Sequence, residues 1–145
     1  MLKVLSFKSG DNLYGIETRF VKEINRNPEI TSIPLAPKTV AGVMNLRGQV
    51  VSLLDFEAIM GIPAAEEKKH SIVLKKEVGN PDVMALLVEK AADVIDVDTM
   101  ICEKPTPELE KHYGQTIQCI AKLAQQLLII VDKEKLIKVS EESNV

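Results

Sequence analysis

Gln49-Val50-Val51-Ser52-Leu53-Leu54-Asp55-Phe56-Glu57-Ala58-Ile59-Met60 aligns without a gap on Gln126-Leu127-Leu128-Ile129-Ile130-Val131-Asp132-Lys133-Glu134-Lys135-Leu136-Ile137. Each copy reads as an aliphatic strand, an aspartate suited to capping a helix N-terminus, and a short helical stretch. The copies lie 77 residues apart in a chain of 145. A repeat at about half the chain length implies two similar units, each closed by a strand that runs into a capped helical turn.

The rest of the chain is mostly strand. Val, Ile and Leu dominate a hydrophobic content of 46%, aromatics are 3% and Trp is absent, a composition that suits pleated, packed strands. Residues 2–8 alternate, Ser9-Gly10-Asp11-Asn12 reads as a turn, and Leu13-Tyr14-Gly15-Ile16 extends again, which makes a hairpin. In Thr18–Ile24 the apolar residues Phe20, Val21 and Ile24 fit one helical turn and a strand equally well. Pro28, Pro34 and Pro37 then exclude a central strand or a long helix around Ile30–Ile33. Val40–Leu46 and Gln49–Leu54 form a second hairpin across Arg47-Gly48, with the glycine supplying a positive φ. Asp55, Phe56–Met60 and Gly61 read as N-cap, short helix and stop. A polar loop follows at 61–69. Further strands are expected at 70–76, 83–88 and 92–97, with a turn at 78–82, and then a polar connector holding Pro105 and Pro107. Many short strands separated by turns favour small closed barrels, because closure removes exposed edges.

Several functions are excluded on composition and pattern. The longest apolar run, Leu127–Val131, is far below the about 20 residues of a membrane-crossing helix, and the alternating N-terminus does not read as a secretion signal. Cys102 and Cys119 fit neither a disulfide framework nor a zinc signature, so a reducing cytoplasm is expected, with both as small apolar core residues. A net charge of −3, five aromatics and no basic cluster make nucleic acid a poor partner. Catalysis lacks its parts: His70 and His112 both read as surface residues, and there is no G-x-S-x-G elbow, phosphate loop or G-x-G-x-x-G turn. Asp93, Asp96 and Asp98 alternate with apolar residues and lack the glycine and closing glutamate of a calcium loop. The sequence therefore offers no catalytic, metal or cofactor site.

The stretch Val40-Ala41-Gly42-Val43-Met44-Asn45-Leu46-Arg47-Gly48-Gln49-Val50-Val51-Ser52-Leu53-Leu54-Asp55 resembles the signature of the CheW family, the coupling proteins of bacterial chemotaxis. Tyr14-Gly15-Ile16, Val21-Lys22-Glu23-Ile24, Ile30-Thr31-Ser32-Ile33-Pro34 and Pro37 resemble the family's opening hairpin and loop. Leu86–Val94 and Leu127–Leu136 resemble its second half. The chain departs from the family pattern at Ser52, where proline is usual, and at Ala121, Ala124, Gln125 and Gln126, where glycines are usual. The resemblance implies a mainly all-β fold of two SH3-like five-stranded barrels packed together, with short helical segments. We place one barrel at 13–83 and the other at 1–12 with 84–145, within a single CheW-like domain.

What the resemblance implies about function is a cytoplasmic, non-enzymatic adaptor without a cofactor, recruited to membrane receptor arrays and not itself inserted in the membrane. Its partners would be the tip of methyl-accepting chemoreceptors and the regulatory domain of the histidine kinase CheA. Arg47, at a hairpin tip, has Glu23 as its natural bidentate partner, and the pair would brace the groove between the barrels; a solvated turn arginine is the alternative. Val21, Ile24, Val50, Leu86 and Val88, with Glu23, Arg47 and Gly48, are the candidate receptor-binding residues, accepting a helical tip in an apolar groove. For the apolar members, plain barrel core is the alternative. No residue is assigned to the kinase face. The competing functions are a small-molecule-binding or enzymatic β-barrel with its pocket between the halves, and a CheW-like scaffold of a non-flagellar pathway.

Overall fold

Two sheets account for the eleven strands of the computed structural model, which describes residues 1–64, 67 and 70–142. The strands are β1 (Leu2–Ser9), β2 (Asn12–Glu17), β3 (Val21–Asn25), β4 (Val40–Leu46), β5 (Gln49–Asp55), β6 (His70–Leu74), β7 (Met84–Val88), β8 (Lys90–Val97), β9 (Cys102–Glu103), β10 (Ile117–Lys122) and β11 (Leu127–Val131). Three helices, α1 (Phe56–Met60), α2 (Pro107–Tyr113) and α3 (Lys133–Glu142), complete the fold. Segment 18–24, open between helix and strand, divides into a single 3-10 turn at Thr18–Phe20 followed by β3. Of the polar loop expected at 61–69, residues 65, 66, 68 and 69 lie outside the described residues.

One sheet has five strands in the order β3-β6-β7-β5-β4, and the other has six in the order β8-β1-β2-β11-β10-β9. From the β3 and β8 edges inward, both sheets read antiparallel, antiparallel, parallel, antiparallel. Each is an SH3-like unit, and the six-stranded one adds only the two-residue β9 to the shared plan. The chain changes sheets between Glu17 and Val21 and again between Val88 and Lys90. The divisions expected after residues 12 and 83 therefore lie one strand early, since β2 pairs with β1 and β7 with β5 and β6.

The repeat is kept at atomic detail. Asp55 Oδ1 accepts from Ala58 N at 3.2 Å, and Asp132 Oδ1 accepts from Lys135 N at 3.1 Å, so both aspartates cap their helices. The backbone N–H of each aspartate donates to the threonine before the preceding hairpin, Asp55 to Thr39 O and Asp132 to Thr116 O, both at 2.7 Å. The bulge after Val40 in β4 is matched by the bulge after Ile117 in β10. The helices then cross over. Phe56 of α1 packs its ring against Phe7 and Tyr14 of the six-stranded unit, with centroids 4.8 and 5.0 Å apart. Ser140 of α3 accepts at its carbonyl from Thr39 Oγ1 of the five-stranded unit.

Alternation along the strands yields three cores. Met44, Val51, Leu53, Val73, Val83 and Ala85 fill the five-stranded unit. Val4, Val97, Cys119, Ala121, Leu128 and Ile130 fill the six-stranded one. The opposite strand faces, together with Phe56, Ile59, Met60 and Leu136 from the helices, form a larger core between the units. Strands β5, β7 and β11 are thus covered on both sides, which explains their nearly unbroken aliphatic runs.

Two expectations need correcting here. Cys102 and Cys119 are not independent thiols: β9 and β10 are neighbouring strands, and the two residues form a disulfide with Cα atoms 5.5 Å apart. The connector with Pro105 and Pro107 is also more ordered than expected, because Thr106 caps α2 by accepting from Leu109 N and Pro107 occupies the first helical position.

Candidate functional site

The β4–β5 hairpin turns on Arg47 and Gly48, with φ of 51° and 82°. Two consecutive positive φ angles are the signature of the tight hairpin turn whose twist matches the flanking strands, and Asn45 Oδ1 supports it by accepting from Gly48 N at 2.9 Å. Glycine takes this conformation freely, whereas an arginine there is uncommon. The backbone carries Arg47 over the opposite edge of the same sheet, where Nη1 donates to Glu23 Oε1 at 3.1 Å and Nη2 donates to Glu23 Oε2. The fork meets both carboxylate oxygens, the geometry in which arginine outperforms lysine.

Glu23 lies on β3 and Arg47 at the end of β4, and these are the two edge strands of one sheet. The pair therefore spans the seam of the five-stranded unit and does not brace the two barrels against each other as expected from sequence. Asn25 Nδ2 and Ser71 Oγ both approach Met44 Sδ at 3.8 Å beneath the same seam. The Arg47 guanidinium, through its hydrogen bonds, holds the Glu23 carboxyl below the usual carboxylate range, and Glu23 in turn raises Arg47.

The other candidate residues divide by position. Val21 and Ile24 flank Glu23 on β3, half-buried against the core between the units. Gly48 is exposed at the turn, and Val50, 65% exposed, stands two residues beyond it. Leu86 and Val88 are different. Both are fully buried at 0% exposure, because β7 lies between β6 and β5 and is covered on both faces. They belong to the core between the units and cannot line an open groove.

Elsewhere, His70 and Asp98 serve the fold. His70 Nδ1 accepts from Ala91 N at 2.8 Å and ties β6 to β8, so it is a link between the sheets and not a solvated side chain. Asp93 and Asp96 face solvent along β8, and Asp98 caps the 3-10 turn at Thr99–Ile101. Among the described residues no cluster of three His, Cys, Asp or Glu side chains forms a metal site, and no helix is long and apolar enough to cross a membrane. Sequence reasoning missed the left-handed backbone at Arg47 itself, having assigned the special conformation to Gly48 alone. The even spacing of a two-residue hairpin loop was the available signal.

The fold and this surface define a duplicated SH3-like β protein whose distinctive feature is a charged pair at a strand seam. A CheW-like domain model matches residues 3–141, and the chain belongs to the CheW-like family. It is 31% identical over 114 residues to the chemotaxis protein CheW of Rhizobium meliloti, covering 79% of this chain and 72% of that protein. It is 30% identical over 139 residues to the chemotaxis protein CheW of Klebsiella aerogenes, covering 95% and 82%. The crystal structure of the scaffolding protein TtCheW from Thermoanaerobacter tengcongensis superimposes with a TM-score of 0.79 at 26% identity, covering 90% of this chain and 88% of that one.

Proposed function

We propose that this chain is a cytoplasmic chemotaxis adaptor that couples methyl-accepting chemoreceptors to the regulatory domain of the kinase CheA. It acts by contact, without catalysis or a cofactor. The receptor surface is built on β3 and the β4–β5 turn: Glu23 and Arg47 provide its charged centre, Val21, Ile24 and Val50 its apolar flanks, and Gly48 the turn, while Leu86 and Val88 stay in the core between the units.

The observation that carries this reading is the backbone of Arg47. A left-handed arginine costs about 1–2 kcal/mol against glycine in the same turn. The exposed ion pair it makes is of the kind that contributes little to folding. An unfavourable conformation kept for a contact with small folding value points to a task outside the fold. A rigid, bidentate pair on a seam, flanked by apolar side chains, suits recognition of an amphipathic helical tip.

The test is co-sedimentation with the cognate kinase and with membranes bearing the cognate receptor, scoring kinase autophosphorylation. Receptor-dependent recruitment with a rise in kinase activity, lost in Arg47→Ala at unchanged thermal stability, is the expected result. Equal recruitment by the folded variant would sink the assignment of this surface. No recruitment of the unmutated chain by either partner would sink the adaptor reading.

A further inference from the structure

We propose that Cys102–Cys119 is a reversible thiol-exchange site whose redox state decides whether segment 98–115 is docked on the edge of the six-stranded sheet. From Asp98 to Gln115 no residue is buried, although Val97 before it and Thr116 and Ile117 after it are. The noncovalent hold on this stretch is slight. β9 contributes two ladder positions, Glu103 opposite Ile120 and Cys102 opposite Ala121, Met100 is 90% exposed, and α2 has no fully buried residue, with Tyr113 at its end partly buried against the core between the units. Segments with few buried contacts open at low free energy. The disulfide is the one covalent tie across β9 and β10.

The other unit shows what the tie replaces. Position 42 in β4 corresponds to position 119 in β10, and the edge of β4 is covered by Thr31, which exchanges two backbone hydrogen bonds with Val43 at 2.8 and 2.9 Å. Gly42 permits that approach, since a Cβ there would lie 2.3 Å from Thr31 O. Where one edge uses a glycine and close backbone contact, the other uses a cysteine and a bond that reductant can cleave.

Cys102 is half-buried and Cys119 is 8% exposed, so Cys102 Sγ is the sulfur an incoming thiolate reaches. With a small dithiol as reductant, its first thiolate bonds to Cys102 Sγ and Cys119 leaves as a thiolate that takes up a proton. The second thiolate then attacks the mixed disulfide and releases Cys102. The reductant is oxidised to its cyclic disulfide, and the protein gains two electrons and two protons. Segment 98–115 is then held only by noncovalent contacts, β9's two ladder positions at one end and, at the other, Tyr113 packed on the core between the units with its carbonyl accepting from Thr116 Oγ1 at 2.8 Å, and the β10 edge is free to lose its partner strand.

The test uses the folded full chain with dithiothreitol as the probe, following thiol count, amide exchange and limited proteolysis. Two thiols per chain should be released without denaturant. Exchange at Cys102, Glu103, Ile120 and Ala121, and cleavage within 98–115, should then rise about tenfold or more. Reoxidation should reverse both, while β4 and β5 amides stay unchanged. Cys102→Ser should behave as the reduced chain, and reduction of the unmutated protein gives the same reading if that variant folds poorly. A disulfide that resists native reduction, thiols that fail to pair under oxidised glutathione, or a reduced chain with unaltered exchange and cleavage would each overturn the proposal.

Discussion

The five-stranded and six-stranded units share a topology down to the bulge and the hydrogen bond from the aspartate N–H to the threonine carbonyl, yet they fill equivalent positions with different chemistry. Phe56 and Lys133 are the same position of the repeat, the first residue after the capping aspartate. Phe56 closes an aromatic cluster with Phe7 and Tyr14. Lys133, only 5% exposed, instead sends its ammonium to Glu77 Oε1 at 3.0 Å and lies over the Phe20 ring at 5.4 Å. Gly42 and Cys119, and Arg47 and Ala124, diverge in the same way. What the duplication preserves is backbone bonding and the aliphatic stripe, because these determine the sheets. Side chains at the crossover helices, the edges and the hairpin tips are free to differ, and the distinguishing surface of each unit lies there.

The sharpest break of this pairing is at Phe56. Phe56→Ala removes a fully buried ring between the units and should cost about 3–5 kcal/mol in a denaturation experiment. Lys133→Leu, at the equivalent position, should change stability by less than about 1 kcal/mol, since Glu77 is half-exposed and remains hydrated. Equal losses would mean the two crossovers bear the same load. Next in size is Gly42→Ala, which should cost roughly 2–3 kcal/mol, because the added Cβ collides with the Thr31 carbonyl and φ is +150°. Amide exchange at Thr31 and Val43 should rise in that variant, whereas Cys119→Ala should leave those two amides untouched.

Much of this plan is readable in the sequence, and the unread parts have physical causes. The aliphatic runs and both aspartate caps announce the duplication, and Thr39 and Thr116 stand at the same offset, so the signal extended further than the strands it was drawn from. The Glu23–Arg47 partnership follows from charge type and hairpin position. Its placement across one unit's seam does not, because only strand order shows that β3 and β4 are opposite edges. Leu86 and Val88 could not be told from groove residues: an aliphatic strand reads the same whether covered on one face or two. The disulfide was hidden because pairing depends on β9 lying beside β10, which two residues of strand do not announce. The α2 helix, by contrast, had its Thr-Pro start in view.

Tyr14 sharpens the comparison through pH. Its hydroxyl is pushed up to about 12, chiefly by burial, and its counterpart beside β5 is Met84, which does not titrate. A raised folded pKa means the protonated form is favoured by folding. Stability is then complete below the ordinary tyrosine value of about 10 and falls as pH rises toward about 12. Tyr14→Phe should move the onset of alkaline unfolding to higher pH. An unchanged onset would place the sensitive group elsewhere.

The smallest stability effect is expected at the Glu23–Arg47 pair. Glu23 is depressed by Arg47, so the pair's contribution is fully present above the ordinary glutamate value of about 4.3 and is lost as pH falls through the lower folded value. Thermal melts of the unmutated chain and Arg47→Ala should differ slightly at neutral pH and converge below about pH 4, and also at high salt, where exposed charges are screened. A large neutral-pH difference would make the pair a structural clasp of the seam, and the left-handed Arg47 would need no partner to explain it. A small difference, with receptor recruitment lost in the same variant, would assign the pair to recognition and separate the two units at this hairpin tip, which the six-stranded unit fills with Ala124.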